Sequence, residues 1–125
     1  MVSKQTPLGS VRGLGSAKNG THHWLLQRLT ALALVPLLLW FISGLLCVTD
    51  YSSALAWVAS PYSTVLFIAL LLTSFYHAQL GLQVVIEDYI HVDWIKFCSL
   101  FMVKVVVFLA TLMGIIAVLK ISLGS

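Results

Sequence analysis

The chain has 125 residues, 60% of them hydrophobic and only 9% charged, with a formal net charge of +3. A soluble domain carries about 25% charged residues; this composition, with a mean hydropathy of +1.02, excludes a water-soluble globule and makes the lipid bilayer the solvent for most side chains. The basic residues build no face with interleaved aromatics, so nucleic acid is not expected as a partner.

The first twenty residues are polar, contain Lys4, Arg12 and Lys18, and carry no acid. No apolar stretch follows before Trp24, so residues 1–20 read as a flexible tail rather than a secretory signal. Residues 21–125 then form one membrane domain. A spanning helix takes about 20 apolar residues, and the sequence predicts an all-α membrane protein with spans at about 21–48, 62–88 and 93–121.

The first span opens on polar turns with His22, His23, Gln27 and Arg28, and is uncharged from Leu29 to Thr49. Asn19 or Thr21 is expected to cap its start through a short polar side chain. Pro36 removes one backbone bond and predicts a kink. Trp24 and Trp40 read as lipid-facing aromatics, with anchoring or packing as the alternative. The connection that follows holds Asp50 and the breakers Ser60 and Pro61, with a short interfacial helix expected over 54–58 and Trp57 at headgroup level. The second span carries His77 in a run without Asp, Glu, Lys or Arg from Tyr51 to Ile86, and ends on Glu87-Asp88-Tyr89. The third contains Lys104, whose long stem either snorkels to the interface or meets a neighbouring subunit. Cys47 and Cys98 lack metal-site spacing and read as inert apolar residues. Lys4, Arg12, Lys18 and Arg28 lie on the N-terminal side and no Lys or Arg lies in the first loop. That bias puts the N-terminus and the 87–96 connection on the cytoplasmic side.

A histidine deep in hydrocarbon needs a partner. At about 100° per residue, Thr73, Ser74, Gly81 and Asp88 share the face of His77. A small residue one turn from an imidazole leaves room for a flat macrocycle, and neutral imidazole is a common axial ligand of haem iron. A hydrogen bond to another helix, or a proton relay, accounts for the buried ring as well. One buried histidine supplies only one axial position, so a second ligand would come from a partner subunit. Asp88 lies about 17 Å along the helix from His77, beside Tyr89. A phenol can donate to a quinone carbonyl and a carboxylate can pass protons; an interfacial tyrosine beside ordinary loop acids is the alternative. Arg28 can pair with a buried anion through its forked donors or serve only as a flanking positive charge. His91 reads as solvated.

The segment His77-Ala-Gln-Leu-Gly81, continuing to Asp88-Tyr89, resembles the H-A-x-x-G-x-x-x-x-x-x-D-Y signature of the small hydrophobic anchor of succinate dehydrogenase. The segment Asn19-Gly20-Thr21-His22, continuing to Arg28-Leu29-Thr30-Ala31, resembles the N-G-x-H-x-x-x-x-x-R-x-T-A opening of the same family. Both stand in the right order, and the three-span layout agrees. The resemblance implies half of a heterodimeric anchor bundle, with a larger cytochrome b anchor subunit, an iron–sulfur subunit and a flavoprotein subunit as partners. It implies His77 as an axial ligand of a shared haem b and Tyr89 as a donor to ubiquinone. Asp88 would shape the quinone site, and His22 and Arg28 would approach the haem propionates. His23 departs from members that carry an acid there, so His22 and His23 remain alternatives. The implied location is a bacterial inner membrane, or alternatively the mitochondrial inner membrane. The anchor of a fumarate reductase is a close rival. A proton-transport subunit would need further ionisable residues through the outward half, and almost none are there; a plain adaptor would leave the His77–Gly81–Asp88 face unexplained.

Overall fold

The computed structural model of the chain describes residues 14–124, with side chains from residue 20 onward. The tail expected over the first residues falls outside that range up to residue 13. Four helices follow in order: α1 (Leu14–Cys47), α2 (Tyr51–Ala59), α3 (Pro61–Tyr89) and α4 (Asp93–Ser122). Three are long and apolar enough to cross a membrane, over Gly20–Cys47, Pro61–Tyr89 and Asp93–Ser122. At 28 residues the shortest of these is about 42 Å long, against a hydrocarbon core of about 30 Å. Each span therefore carries its polar end turns out to the headgroups.

The helix boundaries depart from expectation at the first span. α1 already begins at Leu14 and runs through Asn19 and Thr21, so neither residue caps it. Once a long apolar segment has nucleated a helix, extending it into polar residues costs little. Pro36 also lies inside α1, and the helix continues through it. In a membrane helix the group freed by proline can be satisfied by local adjustment.

The expected short helix after the first span is present and longer than 54–58. Asp50 caps α2: its Oδ1 accepts from Ser53 N at 2.8 Å, and Ser53 Oγ in return lies 3.1 Å from Asp50 N. These two residues form a reciprocal capping box. The backbone N–H of Ser53, then its side chain and that of Ser52, hold the Asp50 carboxyl below the usual aspartate range.

The three spans form an open row. α3 stands in the middle and packs against both α1 and α4, while α2 closes the corner against α3 and α4. A row buries far less than a closed bundle. Among the described residues Leu80 is the one buried apolar side chain, and Ser63 and Thr64 are the only buried polar ones. Gly114 on α4 lets Leu71 of α3 approach; a Cβ there would meet the Leu71 methyls at 3.1 Å. On one side of the row, Leu38 and Phe41, Phe67 and Leu71, and Val118 line an apolar groove of about 440 Å³.

The α1–α2–α3 corner is aromatic. Trp57 stacks on Phe41 at 5.9 Å between ring centroids and meets Phe67 edge-on at 4.9 Å. Trp40 joins the same cluster, 5.5 Å from Trp57 and 5.0 Å from Phe67. Neither tryptophan takes its expected lipid-facing or headgroup position. For Trp57 the reason is Gly44: a methyl group there would overlap the Trp57 ring, so the bare backbone of α1 opens the slot that indole fills. Trp24 does stay exposed. Cys47 and Cys98 are exposed on the helix surfaces rather than packed within the chain.

Candidate functional site

α1 and α3 run antiparallel, so the polar start of α1 and the polar end of α3 meet at one end of the row. Gly20 and His23 of α1 face Gln83 and Glu87 of α3 across a cleft of about 250 Å³. Gln83 Nε2 donates to Glu87 Oε1 at 3.1 Å, one turn apart. Glu87 and Asp88 stand in the last turn of α3, which has no basic residue. The helix dipole disfavours negative charge there, a local conflict of the kind that functional sites retain. Asp88 and Tyr89 are both exposed, Tyr89 by 78%. Sequence adjacency thus places a carboxylate and a phenol at the same end of α3, about 100° apart around the helix and both exposed.

The two neighbouring histidines separate. His22 is exposed, whereas His23 is half-buried and its Nε2 is enclosed without a hydrogen-bond partner. Arg28 is exposed and lays its guanidinium 5.2 Å from the centre of the Trp24 ring. That pairing lies one turn apart on α1, where residues four apart are neighbours. Six residues separate His22 from Arg28, or about 120° around the helix, so the structure does not bring these two together.

His77 sits about 17 Å deeper than Asp88 along α3, where it is half-buried against α1. Its Nδ1 lies 2.9 Å from Thr30 Oγ1. Thr30 in turn reaches the carbonyls of Leu26 at 2.8 Å and Gln27 at 3.0 Å, the usual back-bond of a helical threonine. The bond to Thr30 is the ring's one hydrogen bond among the described residues. The expected alternative of a histidine bonded to a neighbouring helix is therefore realised at one nitrogen. One turn on, nothing in the chain outside the local helix backbone lies within 4 Å of where a Gly81 Cβ would be. Gly44 and Gly114 are each filled by a side chain of this molecule; Gly81 is not. Thr73 shows no link to the ring, and Ser74 spends its hydroxyl on the Leu71 carbonyl at 3.3 Å.

The arrangement has two parts. An imidazole is held at one nitrogen beside a bare helix surface in the membrane interior. A carboxylate–phenol pair stands at the membrane surface. No cluster of three or more metal-binding side chains exists among the described residues.

Residues 2–111 match the family described as succinate dehydrogenase/fumarate reductase transmembrane subunit. The chain belongs to that family. It is 38% identical over 109 residues to the succinate dehydrogenase hydrophobic membrane anchor subunit of Rickettsia bellii, covering 86% of this chain and 87% of that one. The same-named subunit of Rickettsia conorii is 43% identical over 79 residues, 61% and 63% of the two chains. The succinate dehydrogenase membrane anchor subunit of Reclinomonas americana is 28% identical over 95 residues, 71% and 78%. The family match spans His22, Arg28, His77, Asp88 and Tyr89, so both parts of the site lie within it. The residue that sequence reasoning missed is Thr30. It stands inside the N-G-x-H opening segment, and its place three turns into an apolar span was the available signal: a hydroxyl there needs a partner.

Proposed function

We propose that this chain is the hydrophobic membrane anchor of a succinate:quinone oxidoreductase, contributing one axial ligand of a haem b and part of a ubiquinone-reduction site. The observation that carries the haem half is the His77 ring, bonded to Thr30 through Nδ1 and bordered by the open surface at Gly81. An imidazole bonded at one nitrogen and available at the other is the donor that haem iron requires. The family includes both succinate dehydrogenase and fumarate reductase subunits, and the names of the Rickettsia relatives support the dehydrogenase direction.

In this reading a flavoprotein subunit takes two electrons and two protons from succinate, and an iron–sulfur subunit passes the electrons to the membrane. A quinone bound at the cytoplasmic end accepts two electrons and two protons to become quinol. The Tyr89 hydroxyl donates to a quinone carbonyl and orients it. Asp88 holds or relays a proton to the reduced oxygen. The haem, when bound, supplies a one-electron store between this chain and the larger cytochrome b subunit. His77 Nε2 would hold its iron, while His22 and Arg28, both exposed at the same end, would meet its propionates. The N-terminus would face the cytoplasm of a bacterial inner membrane.

The test is a reduced-minus-oxidised optical spectrum of the complex that co-purifies with this chain, compared with its His77→Ala variant. The reading expects a b-type signal that falls by at least about tenfold in the variant, the scale of a metal-site lesion. Equal haem in both complexes would remove His77 from the site.

A further inference from the structure

We infer that Thr30 is a positioning residue for His77: its hydroxyl oxygen takes the Nδ1 proton of the imidazole, leaving the Nε2 lone pair free as a ligand and raising its basicity. The inference rests on the haem reading above and adds the residue that tunes it.

The argument is a count of protons. Thr30 Oγ1 carries one hydrogen and faces three acceptors: the Leu26 carbonyl, the Gln27 carbonyl and His77 Nδ1. The neutral ring also carries one hydrogen, on either nitrogen. Suppose the threonine proton goes to Nδ1. The ring proton then sits on Nε2, where no group among the described residues accepts it. Two protons make one hydrogen bond, and an N–H stands unpaired in the membrane. Suppose instead the threonine proton goes back to Leu26 and Gln27. The Nδ1 proton then goes to Oγ1, two protons make two hydrogen bonds, and only a lone pair is left at Nε2. An orphaned N–H donor at this depth is less tolerable than an unpaired acceptor lone pair. The second arrangement wins, and it is also the only tautomer that can bind a metal through Nε2.

The geometry makes Thr30 well suited to this task. Its χ1 is already restricted by branching at Cβ, and its back-bond to the preceding turn fixes the hydroxyl. The oxygen thus presents its lone pair to α3 from a rigid α1. A hydrogen bond accepted from the distal N–H of a ligating imidazole orients the ring and strengthens it as a donor. A stronger donor favours the ferric state, so the bond lowers the midpoint potential.

The experiment compares Thr30→Val, Thr30→Ser, His77→Ala and the unaltered chain, each in the intact complex. It measures haem content by alkaline pyridine spectrum and midpoint potential by redox titration. Valine replaces the hydroxyl with a methyl of similar size. The expected result is a rise in potential with Thr30→Val, reflecting a loss of ferric over ferrous binding of up to about tenfold, with the potential restored by Thr30→Ser. If the valine variant does not assemble, Thr30→Ala carries the same test. An unchanged potential in an assembled valine or alanine complex overturns the inference while leaving the haem reading intact. So does a serine variant that shifts as far as valine. Haem retained by His77→Ala overturns the reading beneath it.

Discussion

At the scale of single residues, the site divides by what each side chain already holds. His77 spends one nitrogen inside the chain, and Gln83 engages Glu87. Tyr89 stands free of any such tie at 78% exposure. A phenol that does nothing for its own fold can be altered without a stability cost. Tyr89→Phe is therefore expected to lower quinone reduction about tenfold, the worth of one hydrogen bond to a reacting carbonyl. Succinate oxidation measured with a soluble artificial acceptor should stay unchanged, because that activity does not pass through this chain. Parallel loss of both activities would mean failed assembly instead. The same distinction separates His22 from His23. The outward ring is available to a neighbouring chain, whereas the inward one is enclosed against α3.

At the scale of elements, two glycines of one chain give opposite expectations. Gly44 on α1 is the slot for the Trp57 indole, and a methyl group overlaps that ring. Gly44→Ala should destabilise the corner by about 1–3 kcal/mol, the usual cost of overpacking, and lower the melting temperature of the complex. Gly81 on α3 meets no such neighbour. Gly81→Ala should leave melting unchanged or slightly higher, since alanine is the better helix former, while reducing haem content by optical assay. Equal melting behaviour in the two variants would contradict this contrast. The spans, their order and the short helix after Asp50 were legible in the sequence, because hydropathy and turn residues are local signals. The start of α1 was not, because a helix nucleated by apolar residues ignores weak formers at its edge. The inward turn of Trp57 and Trp40 was also hidden: it depends on a gap left by Gly44 in another helix, and no local pattern records it. His77, Asp88 and Tyr89 stood out as polar groups in apolar surroundings. Thr30 belongs to the opening motif, but its link to His77 is not legible there, because a threonine in a span ordinarily satisfies itself against its own helix and only the fold brings His77 to it.

At the scale of the whole molecule, the two ends of the row are built differently. At the end away from Tyr89, Thr64 Oγ1 lies 2.8 Å from the Val58 carbonyl, 3.0 Å from the Ser60 carbonyl and 3.0 Å from Ser122 Oγ. One hydroxyl thus links the α2–α3 corner to the last turn of α4, beside the Asp50 cap and the aromatic cluster. A double-mutant cycle of Thr64→Val and Ser122→Ala should give a coupling of about 0.6 kcal/mol, typical of hydrogen bonds between membrane helices. Strictly additive losses would show that the two side chains act independently. At the opposite end the carboxylates, Tyr89 and His22 are exposed, so the proposed quinone site sits where the chain is least closed on itself.

An open row also has two long flanks that no described part of the same chain covers. Residues facing α3 are judged against their own chain and can change only with each other. Those on the outward sides of α1 and α4 are judged against lipid or whichever chain lies alongside. Inheritance therefore acts on this protein jointly with its neighbour. A subunit exchanged between distant species keeps its fold, since α3 travels with its own flanking helices, but it meets a foreign surface along the outward sides of α1 and α4. Exchanging this chain together with the proposed partner anchor subunit should restore the match that exchanging one of them breaks.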